Sequence, residues 1–434
     1  MKRYLRLLGV VFTLVSLSAP EHASGLVNGR VLDSLTGKPI INAIVTANDA
    51  EIRTDEKGAF VIKTQVHKVA ARAYGYSRAE QPVTSHIFST NVELKLTPFS
   101  PKALYLTYYG IGDRGLRGNA LKLIEDTELN ALVIDVKGDR GVLTYKSSVP
   151  MVSQIGAQKQ VIIKDIRALM QSMKEKGVYT IARIVVFKDD VLASAKPELA
   201  VRTMEGNIWR DRENLRWIDP FKKDSWDYNV NIAVEAAQYG FDEIQFDYVR
   251  FPDRKGLKFS QPNTEGNRVN AISGFLAEAR KKLTPYNVFV AADIFGYVSW
   301  NPDDTQIGQR LDRISPVVDY ISLMLYPSGF QFGIPGYRNP VVNSYEIVSL
   351  TLKKAQAKAN IPAVRFRPWL QAFRDYAFDR RHFYGPEIRT QIRASDEFGS
   401  GGWMLWNPRN SYIADGLKKE RFTGNLVRRN GSAG

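Results

Sequence analysis

From residue 103 to residue 408 the chain alternates short apolar runs with amphipathic stretches, and this rhythm restricts the fold more than any other feature. The strand-like runs are ALYLTYY (103–109), ALVIDVK (131–137), YTIARIVVF (179–187), EIQFDYVRF (243–251), VFVAADIF (288–295), YISLMLYP (320–327), FRPWLQAF (366–373) and GGWMLWNP (401–408). Between them lie helix-period stretches such as VIIKDIRALMQSMKEKG, NVNIAVEAAQYG, VNAISGFLAEARKKL and YEIVSLTLKKAQAKAN. Strands apolar at nearly every position are buried on both faces, and a helix in each connection implies parallel neighbours. Eight such units predict an α/β fold, a (β/α)8 TIM barrel over residues 98–420. An open doubly wound sheet is the rival, but it usually carries a Gly-rich phosphate turn after an early strand, and none is present.

The preceding segment has a different period. Residues 26–97 read as short strands joined by tight turns, with Gly37-Lys38-Pro39 and Asp55-Glu56-Lys57-Gly58 as turn signals and no helix-period stretch. A small all-β sandwich is expected there. Residues 1–25 begin with Lys2, Arg3 and Arg6, continue with an apolar run from Leu7, and end in Ala23, Ser24 and Gly25. That layout predicts a secretory signal peptide and an exported, periplasmic or extracellular protein with no stable membrane insertion after cleavage. Residues 421–434 form a basic C-terminal tail.

Composition removes several chemistries. With no cysteine there is no disulfide and no thiolate nucleophile or metal ligand. Of the four histidines, His22, His67, His86 and His382, only the last falls in the barrel, which argues against a histidine metal site or a Ser-His-Asp triad. No phosphate-binding GxxxxGK[ST] string and no nucleic-acid module is present. No cofactor and no metal are expected. The net charge of +15 is compatible with an anionic polymer as partner through the basic surface, including the cluster Lys418, Lys419, Arg421, Arg428 and Arg429.

In a TIM barrel the reactive groups sit at the C-terminal ends of the strands. Polar residues fall near those ends: Asp135 and Lys137 on the second strand, Arg183 on the third, Asp247 and Arg250 on the fourth, Asp293 on the fifth, Gln371 and Asp375 on the seventh, Asn407 and Arg409 on the eighth. Tyr108, Tyr109, Tyr248, Phe295, Tyr326, Trp369, Trp403 and Trp406 accompany them. Carboxylates and flat rings together suit a polysaccharide or oligosaccharide, whose C–H faces pack on rings while hydroxyls pair with polar groups. Within GFDEIQFDYVRFPD (240–253), Asp247 interrupts an otherwise apolar strand. Asp is depleted in strands, and a buried carboxylate is costly unless paired, so Asp247 points to a strand tip facing a cavity.

Glycosidic cleavage commonly needs one ionised carboxylate and one protonated carboxylic acid flanking the bond. Asp247 and Asp293, on consecutive strands, suit those roles, with Arg250 as a cation able to keep one ionised. Asp135, Lys137, Arg183, Tyr248, Arg250, Tyr326, Trp369, Gln371, Trp403, Trp406 and Asn407 are candidates for substrate binding. Each acid alone reads also as a barrel-layer residue bonded to a cation, and Asp135 with Lys137 as a structural ion pair. Asp242 and Glu243 precede the strand core and read as capping or solvent-facing.

Three resemblances extend this reading. GRVLDSLTGKPIINAIVTA, TDEKGAFVI and ARAYGYSRAE resemble the carboxypeptidase regulatory-like domain, which implies a non-catalytic accessory module. WIDPFKKDSWDYNVNIAVEAAQYGFDEIQFDYVRFPD, with AADIFG and ISLMLYPS, resembles the putative glycosyl hydrolase domain family of bacterial exported proteins, which implies a TIM barrel with glycosidase activity. More distantly, GFDEIQFD is similar to the strand-four motif G-x-D-x-x-R-x-D of the α-amylase superfamily, which places Asp247 at the nucleophile. Gln245 stands where that motif has its arginine, and Asp293 where it would have a glutamate acid. The expected function is thus a secreted glycoside hydrolase. The alternatives are a non-catalytic envelope glycan-binding protein and a barrel lyase or transferase.

Overall fold

The computed structural model describes residues 26–63, 67–83 and 89–419. The segment read as a signal peptide and the tail 421–434 lie outside those residues.

Seven strands come first: β1 (Leu26–Asp33), β2 (Ile44–Ala47), β3 (Ala50–Arg53), β4 (Ala59–Lys63), β5 (Lys68–Arg72), β6 (Ala79–Pro82) and β7 (Ser89–Leu96). They form two sheets, ordered β4-β1-β7 and β3-β2-β5-β6. Val27, Val31, Val45, Phe60, Val69 and Leu94 fill the single core between them, as alternating strands dictate. The turn before β4 is built by Asp55, whose Oδ1 accepts from the N–H groups of Lys57 and Ala59 at 2.8 Å. Gly58 completes it at φ +68°, where a Cβ would stand 2.7 Å from the Val31 carbonyl.

The barrel follows. Its strands are β8 (Lys102–Leu106), β9 (Ala131–Lys137), β10 (Tyr179–Val185), β12 (Glu243–Asp247), β14 (Phe289–Phe295), β15 (Tyr320–Met324), β16 (Trp369–Gln371) and β17 (Trp403–Trp406). A two-stranded ribbon, β11 (Arg202–Thr203) with β13 (Leu257–Lys258), lies outside the ring. The eight barrel strands pair in parallel and close in the order β10-β12-β14-β15-β16-β17-β8-β9. This is the TIM barrel the strand rhythm predicts. Several strands stop earlier than their apolar runs: β12 ends at Asp247, and residues 108–112 are helical. The apolar residues beyond these ends turn into the mouth or pack under its loops.

Alternation assigns the two faces of each strand. Leu104, Leu132, Ile134, Ile184, Phe246 and Leu370 face the helices, while Tyr105, Val133, Ile181, Ala291, Trp369 and Met404 fill the interior. The helix Ile166–Glu175 illustrates the outer layer. Asp165 caps it by accepting from Ala168 N at 2.9 Å, and Ile166, Met170 and Met173 form its buried stripe. The GGWMLW opening of β17 has a steric cause. A Cβ on Gly401 would stand 2.1 Å from the Val364 carbonyl, and one on Gly402 2.2 Å from that of Pro101.

The sandwich packs on the N-terminal ends of the barrel strands, opposite the mouth. Arg72 bonds Asn287 Oδ1 at 3.1 Å and Glu51 at 3.1 Å, and its Nε lies 3.6 Å from Asp319, which precedes β15. Arg280 reaches the same Asp319 and Glu51 at 3.0 Å each. Tyr74 meets Tyr320 edge-on at 5.9 Å, and Gly75 N donates to the Tyr320 hydroxyl. Glu243 corrects the sequence reading. It is fully buried inside the barrel floor, paired with Arg367 and accepting from the Tyr179 hydroxyl, because β12 starts at Glu243 and points it inward. Among the described residues no helix is long and apolar enough to cross a membrane.

Candidate active site

Three consecutive strands, β9, β10 and β12, each send one charged side chain into the upper barrel. Arg183 on β10 bridges its neighbours. Its Nη1 lies 2.6 Å from Asp135 Oδ1, and its Nε and Nη2 lie 2.9 and 2.5 Å from Asp247 Oδ2. The Tyr105 hydroxyl donates to Asp135 Oδ2 at 2.7 Å. The Asp247 Oδ1 accepts from the N–H of Tyr248 at 2.6 Å. Tyr248 itself adopts φ +47°, a left-handed conformation that is uncommon for a bulky residue and clusters at functional sites. Burial raises the Asp135 carboxyl, and the Arg183 guanidinium and the Tyr105 hydroxyl only partly oppose it.

Asp293, on the next strand β14, has the opposite environment. Trp369 Nε1 donates to its Oδ1 at 2.8 Å, and its Oδ2 is buried with no hydrogen-bond partner among the described residues. Burial pushes this carboxyl well above the usual carboxylate range, the charge of Asp247 pushes it further, and Arg183 and the Trp369 bond only partly oppose them. Asp247 and Asp293 thus lie on adjacent strands in unlike surroundings, the first held by Arg183 and the second short of hydrogen-bond donors.

Above them opens a cleft of about 980 Å³. Tyr248, Phe295, Met324 and Tyr326, at or just beyond the ends of β12, β14 and β15, form its inner lining. The carboxyls lie one layer deeper: the Asp247 side chain is 8% exposed and Asp293 1%. Trp406 stacks on Tyr105 with ring centroids 3.9 Å apart, and the Arg183 guanidinium sits 5.0 Å from its centroid.

The structure therefore brings together Asp135, Arg183, Asp247, Asp293, Trp369 and Trp406, with Tyr248, Arg250 and Tyr326 in the cleft above. It separates the others. The register of β9 against β10 shifts between Arg183 and Ile184, so that Lys137 is paired with Ile184. Lys137 is fully buried away from Asp135, 2.6 Å from Asp189 and 5.0 Å from the Tyr228 ring centroid. Trp403 faces the helical layer. The Gln371 side chain is consumed by Ser328 and the Phe373 carbonyl. Asn407 ties two loops through the carbonyls of Ala372 and Ser411. Burial raises Asp375, but Ser328 and three backbone N–H groups bring it down to about 2, making it a loop anchor. The cation beside Asp247 is Arg183 rather than Arg250. Gln245, at the motif's arginine position, instead donates to Ser322 Oγ at 3.0 Å.

Sequence reasoning missed Lys188, Trp209, Trp217, Tyr297, Phe332 and Tyr376 in the cleft wall. They come from loops with no strand-end signature. For the aromatic ones the cue was the density of rings in the connections after β10, β14, β15 and β16. Among the described residues no group of three or more His, Cys, Asp or Glu is placed to hold a metal ion.

Residues 103–412, the whole barrel and its mouth, match the family model described as "Putative glycosyl hydrolase domain". The chain belongs to this family. Among solved structures, this glycosyl hydrolase-like domain resembles the PgaB (BpsB) glycoside hydrolase domain from Bordetella bronchiseptica. The TM-score is 0.55 at 15% identity, covering 74% of this chain and all of that one. That likeness supports the barrel fold. A hypothetical protein from Ruminiclostridium thermocellum is 42% identical over 44% of this chain and 96% of its own, with a TM-score of 0.40. A Group II chitinase catalytic domain from Ostrinia furnacalis is 12% identical over 71% of this chain and 90% of its own, with a TM-score of 0.43. No functionally curated protein matches.

Proposed function

We propose that the protein is an exported glycoside hydrolase in which Asp247 is the nucleophile or base and Asp293 the general acid. The observation that carries this reading is the contrast between the two carboxyls. Asp247 is held by two guanidinium N–H groups, while Asp293 has a buried, unpartnered oxygen and a raised proton affinity. Asp293 would protonate the leaving glycosidic oxygen, and Asp247 would attack the anomeric carbon or activate a water against it. Arg183, itself paired with Asp135, holds Asp247 in place, while Tyr248 and Tyr326 offer flat surfaces to sugar rings. The basic, apolar N-terminal stretch supports export, and residues 26–97 are read as a non-catalytic accessory module. The test is product release from a panel of defined polysaccharides by wild type, Asp247→Asn and Asp293→Asn. Release by wild type and its loss in both variants is expected. Unchanged turnover in both variants removes the mechanism.

A second reading is favoured by the depth of the acids, one layer beneath the cleft lining. In that reading the mouth binds a glycan without cleaving it, and Asp135, Arg183 and Asp247 are a structural network. Glycan binding by wild type with no product on any substrate decides for it.

A further inference from the structure

Pairing inside the cleft leaves its charges unequal. Lys188, Arg212, Arg250 and Arg254 line it, together with Asp211, Glu213 and Asp253. Lys188 engages two of those acids, Glu213 at 2.9 Å and Asp211 at 3.3 Å, with Asp139 at 3.9 Å. Among the described residues, Arg212, Arg250 and Arg254 make no ion pair, so three guanidinium groups face the cleft against one uncommitted acid, Asp253.

Arg250 is the most constrained of the three. Its guanidinium carbon lies 5.0 Å from the Trp217 ring centroid and 5.1 Å from that of Tyr248. Among the described residues its one hydrogen bond runs from Nη1 to the Phe251 carbonyl at 3.0 Å, leaving most of its five N–H donors without a partner there. A planar fork held by two aromatic neighbours suits in-plane recognition of a carboxylate. Arg250 lies just past Asp247 in the chain, close to the reaction centre. Arg254 is exposed and stands where the cleft runs into a second depression of about 750 Å³, the two sharing Asp253, Arg254, Asn301 and Thr305. At that junction Thr305 and Gln306 hold φ values of +56° and +57°. Such values are unusual for a β-branched residue and typical of ligand-contacting loops.

We infer that the cleft selects a glycan whose sugar units carry carboxylates, with Arg250 receiving the carboxylate nearest the reaction centre and Arg254 one further along the groove. This rests on the reading of the cleft as a glycan site. It places anion recognition in the barrel mouth rather than in the basic tail.

The test uses full-length Asp247→Asn protein, titrated calorimetrically with oligogalacturonate, alginate oligomers and hyaluronan oligomers. The same oligomers with their carboxyl groups reduced to primary alcohols serve as controls. At least one uronate oligomer is expected to bind about ten-fold or more tightly than its reduced form, as a charge-assisted guanidinium–carboxylate contact requires. That gap should collapse when Arg250→Gln is added and narrow with Arg254→Gln, whose exposed position leaves folding unaffected. Equal affinity within every pair, no binding of any uronate, or a gap that survives both arginine changes overturns the inference. Wild-type cleavage of neutral glycans without preference for uronates would sink this inference and leave the hydrolase reading standing. Arginine-dependent uronate binding with no product from wild type would do the reverse.

Discussion

Arg183 directs Nε and Nη2 at a single oxygen of Asp247, Oδ2, from 2.9 and 2.5 Å, while its Nη1 holds Asp135 at 2.6 Å. One cation on β10 thus serves carboxylates on both flanking strands, and all three groups are buried. Gln245, in register with Arg183 on the adjacent strand, turns instead to Ser322 Oγ.

Removing that cation should be severe. Arg183→Gln leaves two carboxylates buried with no countercharge, and breaking a buried pair costs about 3–5 kcal/mol. Arg183→Lys should not restore the wild type, because one ammonium cannot reproduce three directed N–H bonds. Urea unfolding of both variants, alongside glycan turnover, checks this. Wild-type stability for Arg183→Gln would refute the account of the network.

Asp247→Asn and Asp293→Asn should each lower hydrolysis by at least the ~10²–10⁴-fold typical of a lost acid or base. Asp293→Asn should leave the melting temperature near wild type, since it replaces a carboxyl whose neutral form burial favours with an isosteric neutral group. Steady-state rates and thermal melts together separate a chemical role from a structural one.

The raised proton affinity of Asp293 has a signed consequence. Because its folded-state value lies above that of an unfolded aspartate, about 3.9, its contribution to stability is complete below that value and is lost as pH rises through the folded value. Activity that needs the protonated acid should fall over the same upper limb. A pH–rate profile and pH-dependent denaturation of wild type and Asp293→Asn test both, the variant lacking this component of the slope.

Trp369→Phe removes the indole hydrogen bond to Asp293 Oδ1. That bond favours the ionised form, so its loss should move the alkaline limb of the rate profile to higher pH. Leaving the acceptor unsatisfied should cost about 1–3 kcal/mol. A limb that stays in place would show that Trp369 does not tune the acid.

At the opposite end of the barrel, burial raises Asp319, but Arg72 and Arg280 outweigh it, and the carboxyl is lowered overall. Its stabilising contribution is therefore present above the unfolded value and lost as pH falls through the lowered one. Arg72→Met should destabilise the contact between sandwich and barrel and weaken this acid-side dependence. Calorimetry should then resolve a sandwich transition below that of the barrel.

The barrel, the sandwich and the two aspartates were legible in the chain because each has a local signature. Strand and helix periods repeat within a few residues, and an aspartate inside an apolar run marks a strand tip wherever the strand sits. Partners were not legible. A shift in register beside Arg183 turned Lys137 away from Asp135, and alternation on a strand beginning at Trp403 sent that ring to the helices. Inward pointing converted Glu243 from an expected surface acid into the partner of Arg367. The residues that wall the cleft, Trp217 after β10 and Tyr297 after β14 among them, come from loops far apart in the chain. Sequence alone determined which segments become strands and which acids sit near their tips. Closure of the cylinder decided which charges meet, because pairing across neighbouring strands depends on register, and register is a property of the closed ring rather than of any one segment.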